Sequence, residues 1–262
     1  MELKLLTSKL LEQYISVVHE SPLDKLKKIK KPNLNVDYFQ FYKSVSSVYS
    51  SKIEGEEVEF DSYFKHRFLN VKFNPDYTKR ADDLFAAYDF IDEHALHFKN
   101  VQKAHSILSA SLLPKSQQGS VRNNPMFVIN NEDEIEYVAA SPDLVKTELK
   151  KLFEDVDLLL KANLNPFEIF YYASLLHLVF VKIHPLQDGN GRTARLIEKW
   201  FLIEKLGQQA TMVQLEKNYY RKSNDYYANI RKLGLDYEVL DYGKSLDFLL
   251  MTVLEIENQQ EK

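Results

Sequence analysis

The chain contains no cysteine. That excludes a disulfide scaffold, a thiolate zinc site and a Cys nucleophile, and it suits a reducing compartment, so a cytoplasmic location is expected. Glycine is also scarce, with seven among 262 residues, against a usual ~7%. So few turn-formers imply a mostly helical chain. A basic surplus is missing: 34 Lys+Arg against 38 Asp+Glu leave a net charge of −4, which argues against a nucleic-acid coat. No run of about 18 apolar residues stands out, so no membrane partner is expected. The opening MELKLLTSKLLEQYISVVHE is interrupted by Glu2 and Glu12, and reads as an amphipathic helix over 3–19 rather than a leader. What remains is ordinary globular material, 45% hydrophobic and 27% charged, with length for a sizeable core in one large domain or two small ones.

Along the chain the pattern is a string of helices. SPLDKLKKIKKPN, with lysines between Lys25 and Lys31, reads as a solvated connector. Helical spacing resumes at 36–52 and returns at Lys79–His94 and Val101–Leu113. One stretch differs: the β-formers Phe127, Val128, Ile129 and Ile135–Val138 flank turn-rich NNEDE, which predicts a hairpin. Ser141-Pro142 opens another helix. Asn165, Pro166 and Glu168 form a capping-box start to an almost wholly apolar helix through Ile183, which belongs at the centre of a domain. His177, inside it, reads as a hydrogen-bonded core residue rather than a ligand. A further helix, Arg192–Leu206, is closed by Gly207.

Between the last two helices lies His184-Pro-Leu-Gln-Asp188-Gly189-Asn190-Gly191-Arg192-Thr-Ala-Arg195. A glycine-bearing loop running into a helix N-terminus can hold an anion on unpaired N–H groups. Arg192 and Arg195 share one helix face and can fork onto phosphate oxygens. Asp188 offers a hard oxygen to Mg²⁺, and His184 a base that works near neutral pH. Together these suit phosphoryl or nucleotidyl transfer. The plainer reading is a turn with solvated charges. A P-loop string is absent. An EF-hand register would put Leu186 and Ile197 at ligand positions, which excludes calcium by that route.

HPLQDGNGR resembles the signature of the Fic-domain family, with Arg195 completing its longer GNGRxxR form. Six specified positions coincide by chance at on the order of 10⁻⁸ per start. Leu186 stands where the family usually has Phe. Gly119, Arg122, Phe127–Ile129 and Tyr137 resemble the family's flap, a hairpin that aligns the target's chain. Tyr226 and Tyr227 resemble its adenine-site tyrosines, with core packing an equal reading. Ser50, Glu54 and Gly55 resemble its inhibitory motif, as a short helix ended by Gly55; there the Glu pairs with the second Arg, here Arg195, in place of the γ-phosphate. The similarity spans about residues 50–230.

The resemblance implies a mainly α Fic fold: a helical bundle with a central helix–loop–helix active site and a small β-hairpin flap. It implies an N-terminal helical region over 1–65, a Fic core over 66–235 with the flap at about 119–138, and a C-terminal helical extension over 236–262. It implies a protein adenylyltransferase that moves AMP from ATP to a Ser, Thr or Tyr hydroxyl of a protein target, itself included. His184 would be the base and Asp188 the Mg²⁺ ligand. Gly189, Asn190, Gly191, Arg192 and Arg195 would hold phosphates, and Glu54 would inhibit. AMP removal at the same site, a kinase branch and a non-catalytic nucleotide-binding regulator are the alternatives, the kinase disfavoured by the intact Gly-Asn-Gly-Arg. The target and the oligomeric state, a homo-oligomer included, stay open. Asp236–Tyr242 has no functional account.

Overall fold

The structure is a computed structural model describing residues 2–29, 35–129 and 133–258. Helices dominate, as the scarcity of glycine implies. In chain order they are α1 (Leu11–Val17), α2 (Pro22–Lys28), α3 (Tyr38–Ile53), α4 (Phe60–Phe68), α5 (Pro75–Glu93) and α6 (Phe98–Leu108). After the hairpin β1 (Phe127–Ile129) and β2 (Ile135–Val138) come α7 (Pro142–Lys161), α8 (Pro166–Ile183), α9 (Asn190–Leu206), α10 (Leu215–Arg221), α11 (Ser223–Arg231) and α12 (Leu246–Asn258).

The axle is α8. Its capping box forms as the sequence requires: the Asn165 side chain accepts from Phe167 and Glu168 N–H, while Glu168 accepts from Asn165 N–H. Apolar on every side, it is wrapped by α7, α9 and α12. By length and composition α8 would suffice to cross a membrane, yet 78% of it is buried within the fold. The core around it runs from Leu6 to Ile256 and draws on all three expected segments. A second cluster of Val48, Val58, Tyr63, Ala81 and Phe85 ties α3 to α4 and α5.

The antiparallel hairpin forms where β-propensity placed it, with Phe127 opposite Val138 and Val128 opposite Tyr137; its Asn130–Glu132 turn lies outside the described residues. Three expectations need correction. Only Leu11–Val17 of the 3–19 stretch is helical, because the N–H groups of Lys4, Leu5 and Leu6 bind the Asp155 carboxylate instead. The lysine-rich connector contains α2, which buries Lys25 and Leu26; Lys30–Asn33 lie outside the described residues. The segment ended by Gly55 is no short helix but the last turn of 16-residue α3. Helix α4 carries no counterpart in the sequence reading.

Candidate active site

The loop between α8 and α9 is shaped from both ends. His184 follows α8 in the left-handed conformation, φ 52° and ψ 57°, a cost of about 1–2 kcal/mol for a non-glycine residue. Gly189 takes φ 74° as the N-cap of α9, a conformation that glycine adopts without steric cost. Leu186 is buried and pairs with Val121 across an isolated bridge, so it anchors the loop where the family uses Phe. Both ends of the Asn190 amide are engaged by Leu186, Oδ1 accepting from its N–H at 2.8 Å and Nδ2 donating to its carbonyl at 2.9 Å. The amide thus braces the loop, with Leu186 taking both of its ends.

His184 is half-buried, and Nδ1 lies 3.1 Å from the Val181 carbonyl. That contact assigns the proton to Nδ1 and leaves the Nε2 lone pair open. Burial pushes its pKa down to about 4, so the ring is neutral at pH 7. Asp188 is exposed on the loop. Helix α9 begins without a side-chain cap, so the N–H groups of its first turn are open to an anion.

An anion is already there. Glu54, just past α3, accepts from Arg195 Nη2 at 2.6 Å. Its Oε1 lies 2.7 Å from where a Cβ on Gly191 would stand, so glycine is what lets a carboxylate approach the first turn. Burial opposes the charge of Glu54, but Arg195 and Arg192 outweigh it and hold the carboxyl below its usual range. Arg195 is fully buried and also donates from Nε to Ser50 Oγ at 2.9 Å and from Nη2 to the Ser50 carbonyl at 3.1 Å. Gly55, at φ 84°, turns the chain away immediately afterwards. Arg192 is buried and 3.6 Å from Glu56, and its Nε has no partner. That orphaned donor is the kind of group a phosphate oxygen satisfies.

Behind Arg195 runs a buried relay. Its Nη1 lies 3.4 Å from the Tyr226 hydroxyl, which is 3.0 Å from His177 Nε2, and His177 Nδ1 is 2.7 Å from Glu198 Oε2. The Arg must donate and the carboxylate must accept, so Tyr226 donates to His177 and His177 to Glu198. His177 is thus the paired core residue the sequence suggested, and burial keeps it neutral. Beside the relay opens a cavity of about 240 Å³, lined among others by His184, Gly191, Arg195, Tyr137, Tyr227 and Ile230. Tyr226 is buried in the core and also lines the cavity, whereas Tyr227 is 38% exposed and donates to the Ile53 carbonyl. Phe127 and Ile129 are exposed on the flap, while Val128 lines the cavity.

Two residues at the site carried no role in the sequence reading. His105, on α6, is fully buried; its Nδ1 accepts from Gly119 N–H at 2.9 Å and its Nε2 lies 3.1 Å from the Asp188 carbonyl. Glu56 pairs with Arg80 and faces Arg192. A lone His and a Glu in an acidic run have no spacing that marks them. Among the described residues no cluster of three His, Asp or Glu is built to hold a metal. Asp188 suits Mg²⁺ only in the way that ion usually binds, through one carboxylate plus substrate phosphates.

Residues 95–202 match the Fic/DOC family model. Curated protein sequences return no match. Among solved structures, a Fic family protein from Desulfovibrio desulfuricans G20 is similar at TM-score 0.73 and 18% identity, covering 100% of this chain and 78% of that one. A Fic domain-containing signaling protein from Bacteroides thetaiotaomicron VPI-5482 has TM-score 0.65 and 18% identity, covering 97% and 93%. Fic-1 from C. elegans has TM-score 0.64 and 15% identity, covering 96% and 72%. At such identities the structures speak for the fold, and with the sequence match they give one conclusion: residues 95–202 carry a Fic/DOC domain.

Proposed function

We propose that the chain is a protein adenylyltransferase that transfers AMP from ATP to a hydroxyl of a protein target and of itself, held inactive by Glu54. The observation that carries the reading is the Glu54 carboxylate lying on Gly191 and Arg195. A carboxylate drawn to that place marks the seat of a stronger anion, and the unpaired Nε of Arg192 beside it waits for oxygens that Glu54 does not supply.

In the active arrangement Arg195 exchanges Glu54 for the γ-phosphate, and Arg192 takes the α- and β-phosphates. The N–H groups of the first turn of α9, Gly191 among them, would face the developing charge, while the Gly189 N–H is held by Asp188 Oδ1. The target hydroxyl attacks the α-phosphorus and gives its proton to His184 Nε2. The bond from the α-phosphorus to the bridging oxygen breaks, and pyrophosphate leaves. A magnesium ion held between Asp188 and the phosphates would neutralise part of the leaving group's charge. The aromatic cavity beside Arg195 takes the base.

The test is α-labelled ATP with Glu54→Gly protein and cell lysate. Label should enter the protein and a target band, and His184→Ala should abolish transfer while nucleotide binding persists. Binding without transfer by Glu54→Gly would favour a non-catalytic regulator, and loss of label from pre-modified protein would favour AMP removal.

A further inference from the structure

The last carbonyls of a helix lack intrahelical partners and need others. At the end of α8 that need is met in an unusual way. Phe180 and Val181 are served by His184 itself, through N–H at 3.1 Å and Nδ1 at 3.1 Å. The Lys182 carbonyl accepts from the Tyr137 hydroxyl at 2.6 Å. The Ile183 and His184 carbonyls accept from Arg122, through Nη2 at 3.3 Å and Nε at 2.6 Å. The Pro185 carbonyl accepts from Arg122 N–H at 2.9 Å.

The same guanidinium reaches the other way. Nη1 donates to Asn124 at 2.7 Å and Nη2 to Ala140 at 2.6 Å, the two feet of the hairpin. Arg122 is buried and, among the described residues, pairs with no carboxylate. Its charge is spent on carbonyl dipoles at the negative end of α8. The planar fork spans four carbonyls; a lysine ammonium, a point charge, cannot.

We infer that Arg122 and Tyr137 are positioning residues that bind the flap's base to the carbonyls around His184 and hold its imidazole in place for proton transfer. The inference rests on His184 being the base of the proposed reaction. Its physical content is that a left-handed His is strained and stays so only while its surroundings over-determine it. The consequence is mechanical: the hairpin feet cannot move without the His184 carbonyl following.

The experiment uses full-length Glu54→Gly protein as parent, with Arg122→Ala, Arg122→Lys and Tyr137→Phe added singly. Two quantities are read: kcat against ATP Kd, and the His184 titration by ring-labelled NMR. Arg122→Ala should lower kcat about a hundredfold, the cost of a misplaced base, with ATP Kd within about threefold of the parent. Arg122→Lys should not rescue it. Tyr137→Phe removes one hydrogen bond and should cost about tenfold in kcat; it also keeps the test alive if Arg122→Ala does not fold. Around His184 the parent leaves Arg122 and Asp188 as charged neighbours, and loss of the Arg122 charge and of the tight seat should move the ring from about 4 towards the ordinary ~6.5. Folded variants with parental kcat and an unmoved titration overturn the inference, as does a fall in melting temperature alone. A parent that transfers no label refutes the proposed reaction instead, and the titration still decides whether the clamp holds the ring.

Discussion

Replacing Glu54 with glycine tests the inhibitory pairing quantitatively. Arg195 Nη2 donates to Glu54 at 2.6 Å, and the Glu54 side chain is 26% exposed against 1% for Arg195. A charge-assisted hydrogen bond contributes about 1.5–3 kcal/mol. With one partner partly solvated, about 2 kcal/mol is the fitting value. Productive ATP binding must displace this contact, so its removal should strengthen ATP affinity roughly 30-fold, at ~1.4 kcal/mol per tenfold. Arg195 keeps Ser50 and Tyr226 in the variant, so the fold should survive with a lowered melting temperature. ATP should then raise that temperature more in Glu54→Gly than in the wild type, because the γ-phosphate returns the missing charge. Calorimetric titration of ATP with Mg²⁺, and intact-mass time courses of self-modification, read the two consequences. Equal ATP affinity and equally slow self-modification in both proteins would refute the competition between Glu54 and phosphate.

The pH behaviour follows from signs. Burial depresses His184 to about 4, so the unfolded chain takes this proton first as pH falls below ~6.5. The group costs no stability above that point and increasingly more towards pH 4, a loss that urea unfolding at graded pH should show smaller in His184→Ala. The acid limb of kcat/KM for Glu54→Gly should lie well below 6.5, and a limb at the ordinary histidine value would refute the neutral buried base. Gly191→Ala puts a Cβ 2.7 Å from Glu54 Oε1 and 3.2 Å from Arg195 Nη1. It should displace Glu54 yet also obstruct phosphate, weakening ATP binding at least about tenfold in both wild type and Glu54→Gly, as calorimetry would register. Asp188→Asn should leave metal-free ATP binding intact, abolish its enhancement by Mg²⁺ and slow label transfer about a hundredfold.

The fold was legible where local chemistry decides it and opaque where a distant partner does. The start of α8 needed only Asn165, Pro166 and Glu168, which are neighbours in sequence. The hairpin needed only β-formers on each side of a polar turn. Residues 3–10 failed for the opposite reason: leucines at helical spacing were overruled by one carboxylate about 150 positions away, Asp155, which takes three successive N–H groups. Helix α4 has its own local signal, Phe60, Phe64 and Phe68 recurring every fourth residue with neighbouring rings tilted at 45° and 44°. Likewise α2 hid inside a lysine run because its buried Leu26 and Lys25 look like a solvated tract.

The site divides along the same line, and the division has a mechanical meaning. His184, Asp188, the two glycines, Arg192 and Arg195 lie within twelve residues, so their joint chemistry is written contiguously. Holding that loop at its set geometry is work done from far away. Asp188 is held through its carbonyl by His105, 83 positions distant, and the His184 carbonyl by Arg122, 62 positions distant. Arg195 is backed by Tyr226, 31 positions on, and met by Ser50, 145 positions back. A lone histidine, arginine or tyrosine has no pattern to betray such a task. In the proposed reaction the reactive groups sit close together because they would meet one triphosphate, whereas a brace must come from elsewhere in the chain, since a loop cannot fix its own position. Contiguity therefore carries the proposed chemistry, and only the packed structure shows what holds His184 and the two arginines in place.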